Sequence, residues 1–303
     1  MNRALSSVVL LALGVAAASG LLATCSSAEA ATTVYELAQV THFHGIAVDL
    51  ADNSRLYLAT HHGLFMVEPD GTAQPRSEIR HDLMGFTPHP TEPSILYASG
   101  HPGGGGNLGV IASTDGGASW TQLAEGVGGP VDFHQLDVSP ADPKTIYGGY
   151  GGQLQVSTDE GRSWKLVGRA PDGLIDLAAS SNAPRGLYAA TQGGLLNSAD
   201  GGKSWQDAYW LRQPATMVHV TPGGAVYAFV VGIGLIEAAE PHLSWRTVSK
   251  HVFGGDYVLQ LAVDPASQNK LYAVTFNPQK KAQAVLASTD AGKTWAPLGS
   301  KTH

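Results

Sequence analysis

The sequence has little cysteine, little charge and no excess of basic residues. It contains one cysteine in 303 residues, and 14% of its residues are charged. A chain with one cysteine forms no internal disulfide, so its fold is stabilised by packing. The chain has 18 Lys and Arg against 25 Asp and Glu, which gives a net charge of -7. Nucleic-acid binding requires a basic face, and the sequence has no cluster of Lys or Arg to form one. Because this low charge accompanies 37 glycines, the composition favours a turn-rich all-β protein over a coiled coil or a disordered chain.

The N-terminal residues have the pattern of an export signal. Arg3 precedes an apolar stretch, residues 8–23, that is too short and too interrupted by Gly and Ser to predict a membrane span. The run Leu-Leu-Ala-Thr-Cys ending at Cys25 resembles a bacterial lipobox, although Thr departs from the usual small residue. This resemblance implies a signal peptide over 1–24, a lipid on Cys25 that attaches the protein to a membrane, and a tether over 25–33. Ordinary cleavage after Ala30 is the alternative, and both predict an extracytoplasmic protein, at the bacterial surface or in the periplasm, anchored or secreted.

A motif of eight residues recurs along the chain and ends each time in tryptophan. It has the form S-x-D-x-G-x-[ST]-W, and its four complete copies begin at Ser113, Ser157, Ser198 and Ser288. A fifth copy is reduced to Leu-Ser-Trp245, and intervals of 44, 41, 40 and 50 residues separate Trp120, Trp164, Trp205, Trp245 and Trp295. Such a period is typical of propellers. We expect each aspartate to accept backbone N–H groups, each glycine to take a positive φ and each tryptophan to pack between sheets.

Apolar alternation predicts six units of four antiparallel strands. The first strand of each unit is predicted at 44–48, 84–88, 134–138, 175–179, 216–220 and 259–263, and each second strand carries a tyrosine expected to pack in the core. The prediction is therefore an all-β fold, a β-propeller over residues 34–300 with six blades. A seventh blade is compatible with the period, but the sequence shows no unit for it. Residues 34–37 are expected to form an extra strand that completes the last blade.

The repeated motif resembles the Asp-box of the BNR-repeat families, which include sialidases, sortilin-type receptors and photosystem assembly factors. The resemblance implies a propeller with each motif between the third and fourth strands of a blade, and a structural role for Asp115, Asp159, Asp200 and Asp290. The runs 42–49, 59–65, 84–90 and 100–102 also resemble bacterial exported proteins identified as F510-type family glycosylhydrolases. That family name implies no established activity.

Histidine is unusually frequent, with 12 residues against 18 Lys and Arg. In a propeller, the loops entering the first strands and those leaving the second strands meet at one end of the central channel. Six histidines fall on such loops in the first three units: His42, His44, His61, His62, His101 and His134. Met84, Asp82 and Asp132 accompany them. Neutral imidazole is the commonest metal ligand, so we predict a transition-metal site, for copper if Met84 binds and for zinc if water or carboxylate completes the ligands. His219 lies within an inner strand and is expected in the core.

The sequence alone is compatible with an enzyme and with a protein that only binds. The resemblance to sialidases implies a glycoside hydrolase, for which Arg80, Arg169 and Arg212 lie in suitable segments, but the Phe/Tyr-Arg-Ile-Pro motif is missing. The sequence also offers no Tyr and Glu pair of the sialidase type. Retaining or inverting hydrolysis by two carboxylates would use Asp82 and Asp132.

A protein-interaction or assembly propeller is a further alternative. Tyr150, Trp210 and Phe253 would then anchor a protein partner or stack on a glycan. The glycine-rich run 100–109 lacks the Lys-Ser/Thr pair of a phosphate-binding loop, so no nucleotide is expected, and we predict that it covers the channel mouth.

Overall fold

A computed structural model describes residues 32–250 and 253–298, so the predicted signal peptide and Cys25 lie outside the described residues. Within them, the chain forms six sheets, each of four consecutive antiparallel strands. One short extra strand and one helix of four residues precede these sheets. The innermost strands of neighbouring sheets contact one another around a closed ring. The prediction of a six-bladed β-propeller is confirmed.

The strands follow chain order from the inside of each blade to its outer edge. The first three blades consist of β2 (Phe43–Val48), β3 (Leu56–Thr60), β4 (Gly63–Val67) and β5 (Thr72–Pro75); β6 (Asp82–Pro88), β7 (Leu96–His101), β8 (Val110–Ser113) and β9 (Thr121–Ala124); and β10 (Gln135–Val138), β11 (Ile146–Tyr150), β12 (Gln153–Ser157) and β13 (Lys165–Arg169). The last three consist of β14 (Leu174–Ala179), β15 (Leu187–Thr191), β16 (Gly194–Ser198) and β17 (Gln206–Asp207); β18 (Ala215–Val220), β19 (Ala225–Val230), β20 (Gly234–Ala239) and β21 (Arg246–Ser249); and β22 (Tyr257–Val263), β23 (Leu271–Asn277), β24 (Ala282–Ser288) and β25 (Ala296–Pro297).

The segment before blade 1 differs from the prediction. β1 (Thr32–Thr33) pairs with β5 at the outer edge of blade 1, and α1 (Val34–Leu37) is a helix rather than a strand of the last blade. The Glu36 N–H donates to Thr33 Oγ1 at 3.2 Å, and the Thr33 N–H donates to Glu36 Oε2 at 2.9 Å. This reciprocal capping box stabilises a helical turn, which is why the expected strand does not form. α1 has four residues, far fewer than a helix that spans a bilayer. No helix in the described part of the chain has the length and apolar character needed to cross a membrane.

The ring closes between blade 6 and blade 1 through side chains. Gln283 on β24 accepts the Phe43 N–H at 2.6 Å and donates to the Phe43 carbonyl at 3.2 Å. Apolar residues of the two blades, among them Phe65 and Val274, form one buried cluster at this junction. Closure of the ring therefore depends on packing and on the Gln283 amide, and it positions the start of β2.

The hydrophobic core lies between the blades. Six apolar clusters fill the six interfaces between neighbouring blades. The tyrosines of the second strands contribute to them, as predicted: Tyr57, Tyr97, Tyr147, Tyr188 and Tyr227 are buried, and Tyr272 packs at the edge of its cluster. Because each blade is buried against two neighbours, a shift of one blade changes two interfaces.

The repeated motif forms the turn between the third and fourth strands of four blades. In blade 3, Asp159 Oδ1 accepts the Ser157 hydroxyl and the Ser163 N–H, each at 2.8 Å, and Oδ2 accepts the Ser163 hydroxyl at 2.6 Å. Gly161 has a φ of +85°, and its carbonyl accepts the Trp164 indole N–H at 3.0 Å. Asp115, Asp200 and Asp290 make the same three kinds of bond. These bonds, the Ser163 hydroxyl first, lower the pKa of Asp159 to about 2.

Replacing Asp159 by alanine is expected to lower the melting temperature at pH 7 by a few degrees, because the turn loses three hydrogen bonds. The folded-state pKa of about 2 lies below the ordinary value of 3.8, so this stabilisation is present above pH 4 and is lost as the pH falls through 2. Thermal denaturation from pH 7 to pH 2 should therefore show a difference from wild type that closes at the acid end. Asp172→Ala, which removes an exposed ion pair with Arg169, is the control with little effect. An Asp159→Ala difference that stays constant with pH would contradict the role of the carboxylate.

Candidate metal centres at the channel mouth

The innermost strands carry a β-bulge where they enter the channel mouth. The register between first and second strands shifts between Phe43 and Gly45 in blade 1 and between Leu83 and Gly85 in blade 2, which leaves His44 and Met84 as the extra residues. Blades 4, 5 and 6 have the same irregularity, at Ile175, Thr216 and Leu259. In blade 3, β10 begins directly after His134. Since a bulge re-aims the side chain of its extra residue, this repeated feature selects which residues face the mouth.

The first His–Asp group lies between blades 1 and 2 and consists of His44, His61 and Asp82. Asp82 Oδ2 lies 2.7 Å from His61 Nδ1, and Asp82 Oδ1 lies 3.8 Å from His44 Nε2. His44 Nε2 is 3.3 Å from each ring nitrogen of His61. Asp82 Oδ1 is buried and has no hydrogen-bond partner. One ligand atom from each residue lies within 4.8 Å of the others, which suits a single metal ion.

The electrostatics of the first group favour a neutral imidazole. Burial, followed by the charge of His61, lowers the pKa of His44 to about 4. At pH 7 this ring therefore keeps the lone pair that a metal ion binds. His42 is exposed and flanks the group, with its ring centre 5.3 Å from that of His61. His62 is exposed and belongs to neither His–Asp group.

The second His–Asp group lies between blades 2 and 3 and consists of His101, Asp132 and His134. Asp132 Oδ2 lies 3.0 Å from His101 Nε2 and 2.8 Å from His134 Nε2. The Asp132 side chain is 8% exposed, and its Oδ1 is buried without a hydrogen-bond partner. The hydrogen bond to Asp132 is the main cause that raises the pKa of His134. The carboxylate is thus fixed between two imidazoles with one oxygen unpaired.

The surroundings of His101 suit a metal ligand. Its Nδ1 lies 2.9 Å from the Gly106 carbonyl oxygen, while its Nε2 faces Asp132. Both ring nitrogens therefore face oxygen acceptors, although a neutral imidazole has a single N–H. A metal ion on Nε2 would leave the proton on Nδ1 to donate to Gly106, the outer hydrogen bond that metal-bound histidines usually make. The glycine-rich loop thereby takes part in the second group.

Buried residues hold both groups in place. Phe133 is fully buried between Asp132 and His134, with its ring centre 4.8 Å from that of Trp164. Ser99 Oγ accepts the Phe133 N–H at 2.9 Å and donates to the Gly109 carbonyl at 2.7 Å, so one hydroxyl joins blade 2 to the segment ahead of β10 that carries Asp132 and His134. Gln283 holds the backbone ahead of His44 in a similar way. Sequence reasoning missed both residues, and a serine among the small and apolar residues of the second strand was the available signal for Ser99.

The structure distributes the predicted site residues over two groups. Four of the six histidines and both candidate carboxylates, Asp82 and Asp132, form the two sets of three. The sets are neighbours, because Asp82 of the first and His101 of the second are cross-strand partners in blade 2. The charge of His134 also contributes to the low pKa of His44. Met84 is the bulge residue of blade 2, and blade 2 lies between the blades that carry His44 and His134. Its role as a ligand stays a prediction.

The arginines considered for a sialidase-type site are separated: Arg80 and Arg212 lie in two connections between blades, and Arg169 ends β13. Arg169 pairs with Asp172 at 2.6 Å, and Arg212 pairs with Asp207 at 3.0 Å. Arg80 lies over the ring of Phe65. Arg169 and Arg212 are therefore each paired with a nearby carboxylate.

The aromatic residues considered as anchors differ in exposure. Phe253 is buried against Phe229 and Trp295, so the prediction that it is a rim anchor is wrong. Trp210 is 76% exposed, and Tyr150 is exposed with its hydroxyl bonded to the Asn107 amide.

Comparisons with known proteins bear on the fold. No protein-family model matches the chain, and no curated protein matches it. The GH74 enzyme of Niastella koreensis aligns with a TM-score of 0.60 and 16% identity, and the GH74 xyloglucanase of Xanthomonas campestris with 0.57 and 18%; each alignment covers 85% of this chain and 45% of that enzyme. YCF48 from Cyanidioschyzon merolae aligns with a TM-score of 0.53 and 15% identity over 86% of both chains.

The sequence identity to these proteins is too low to assign their functions to this chain. The chain spans less than half the length of the two GH74 enzymes. The resemblances to sialidases and to the F510-type family stay at the level of sequence motifs. What the solved structures share with this chain is the β-propeller fold, which serves unrelated functions in different proteins, so the fold alone does not determine the function.

Proposed function

We propose that the protein is an exported β-propeller that binds transition-metal ions, zinc or copper, at the two His–Asp groups of the channel mouth. The observation that carries the proposal is the pair of buried carboxylate oxygens, Asp82 Oδ1 and Asp132 Oδ1, that lack a hydrogen-bond partner. An unpaired buried carboxylate oxygen costs free energy. A cation held by the carboxylate and the two imidazoles of each group would offset that cost.

The donor atoms favour a divalent ion of intermediate softness. Each group offers two imidazole nitrogens and one carboxylate oxygen. This set suits Zn²⁺ and Cu²⁺, whereas Ca²⁺ and Mg²⁺ prefer oxygen ligands throughout. Three protein ligands leave positions for water or another ligand, and His42 stands beside the first group as a further donor. A thioether from Met84 would shift the preference toward copper.

Export and anchoring form part of the same proposal. They rest on the charged and apolar pattern of the N-terminal residues and on Cys25, which would carry the lipid. Metabolic labelling with a radioactive fatty acid tests this part. A label that disappears in Cys25→Ala supports the anchor, and an unlabelled wild type that appears in the medium supports secretion without one.

Glycan hydrolysis is the alternative that uses the same carboxylates. Hydrolysis by two carboxyl groups requires one of them to protonate the leaving group. Metal binding accounts better for the placement of Asp82 and Asp132 between imidazoles, and the pairing of Arg169 and Arg212 with nearby aspartates weighs against a cluster for an acidic sugar. Turnover of a fluorogenic sialoside or of nitrophenyl glycosides by metal-free protein would favour the alternative. A role in protein interaction would use the exposed Trp210, and Trp210→Ala would then abolish capture of a partner.

Elemental analysis tests the proposal directly. Protein incubated with Zn²⁺ or Cu²⁺ and then desalted is expected to retain two ions per chain. Removal of the ions with a chelator is expected to lower the melting temperature by several degrees, because a ligand that binds the folded state stabilises it. Retention of fewer than about 0.2 ions per chain would contradict the proposal, given the tight binding expected of such ligands.

A further inference from the structure

The central channel contains a cavity of about 160 Å³ at the end opposite the two His–Asp groups. It is lined by the C-terminal halves of the innermost strands and by the turns that follow them. Aliphatic residues such as Val48, Val138 and Val220 form much of its wall. Prolines surround it in four of the six blades: Pro88, Pro90, Pro140, Pro222 and Pro265. The cavity therefore combines aliphatic and proline side chains with a comparable share of polar surface, which suits a small molecule that has both an apolar and a polar part.

Two carboxyl groups contribute to the polar part of this wall. Asp137 accepts the Thr87 hydroxyl at 3.1 Å and the Ala179 N–H at 2.7 Å. Asp176 accepts the Leu177 and Val218 N–H groups, each at 2.9 Å. These bonds join blades 2, 3, 4 and 5 and fix both carboxyl groups in position. All of the donors are neutral, so neither carboxylate is compensated by a positive charge from these bonds.

The other polar groups of the cavity do not supply a positive charge. Its described lining residues include no Lys or Arg, and their remaining titratable groups are His89 and His219. His89 Nδ1 accepts the N–H groups of Thr91 and Glu92. His219, which was expected in the core, faces the cavity, and burial lowers its pKa to about 4. Burial raises the pKa of Asp137 to about 6 and that of Asp176 to about 7. No cation among the lining residues offsets this effect.

We propose that this cavity binds a small organic cation, a primary alkylammonium, whose N–H groups bond Asp137 and Asp176 and whose apolar chain lies against the aliphatic and proline wall. Each carboxylate oxygen already accepts one hydrogen bond and has a lone pair left for a charged donor. The neutral ring of His219, which has no hydrogen-bond partner among the described residues, offers a further acceptor. A single metal ion fits less well, because these residues do not bring their ligand atoms together as the two His–Asp groups do. Burial of the alkyl chain adds a hydrophobic contribution.

Calorimetric titration at pH 8 with butylammonium chloride tests the proposal, and 1-butanol of equal chain length is the uncharged control. We expect one saturable site for butylammonium, with affinity at least about ten-fold above that for 1-butanol. Proton release upon binding at pH 7 is the second readout, since a cation beside the carboxyl groups favours their ionised form. Titration of chelator-treated protein should give the same result, which separates this site from the metal ions of the mouth.

Asp137→Asn is the informative variant. An asparagine can accept the Ala179 N–H through its oxygen and donate to the Thr87 hydroxyl through its nitrogen, so the fold keeps both bonds. We expect its affinity for butylammonium to fall about ten-fold or more, and that of Asp176→Asn likewise, while Asp172→Asn on an exposed loop binds as wild type. Equal binding of butylammonium and 1-butanol, absence of binding, or wild-type affinity in Asp137→Asn would overturn the proposal.

Discussion

Alanine in place of Asp82 is expected to leave the protein with one bound metal ion instead of two. The first His–Asp group then loses its carboxylate and keeps only His44 and His61, while the second group between blades 2 and 3 is unchanged. Loss of a direct ligand should weaken binding at the altered group by at least about 100-fold, or about 2.7 kcal/mol. Elemental analysis after dialysis against a weak chelator measures the stoichiometry. Asp132→Ala should give the same count through the other group, and the double variant should retain no ion.

The neighbouring histidine provides the matched control. His62 follows His61 in the same turn, is exposed and lies outside both groups, so His62→Ala should retain both ions. Thermal denaturation of the metal-free variants establishes that each is folded. Retention of two ions by the folded double variant would mean that the ions bind elsewhere, and loss of both ions in Asp82→Ala alone would mean that the two groups form one centre.

The architecture was predictable because its signals are periodic. Trp164 and Trp205 are separated by the length of one blade. The apolar alternation between them predicts strands, and the structure has strands at nearly the same positions. The local error at Val34–Leu37 has a physical reason. Four residues with two apolar positions fit a strand or a helix, and the deciding interaction was the reciprocal pair of Thr33 and Glu36, a Thr-x-x-Glu pattern visible in the sequence.

The sequence predicted which residues belong to the candidate site but not which of their side chains contact one another. The spacing of strands locates His61, His101 and Asp132 at one end of the channel, yet it does not tell which side chains of neighbouring blades meet. That depends on the bulges that turn His44 and Met84, and on Ser99, which joins two blades through a single hydroxyl. The cavity at the opposite end was missed because its carboxyl groups, Asp137 and Asp176, occupy strand positions where polar residues usually face solvent. Only the closed ring gives them a shared interior.

Alanine in place of Gly85 is expected to cause a large loss of stability. Gly85 lies on β6 where blade 2 approaches blade 3, and a β-carbon there would overlap the carbonyl oxygen of Phe133 and lie 3.1 Å from the Leu136 side chain. The opposing atom is backbone and cannot move alone, because Phe133 is fully buried and its N–H is bonded to Ser99. The two blades must separate, which should cost about 3 kcal/mol or more and lower the melting temperature by roughly 10 °C.

The same separation should affect one metal group more than the other. His101 belongs to blade 2, whereas Asp132 and His134 flank the displaced Phe133 in blade 3, so the second group should lose its ion while the first keeps one. Gly104→Ala is the matched control, because a β-carbon at Gly104 meets no atom within 4 Å. Thermal denaturation together with metal analysis separates the outcomes. Gly85→Ala with wild-type melting and two ions would mean that the blades tolerate the insertion, and the close approach of β6 to blade 3 would then not be what aligns His101 with Asp132 and His134.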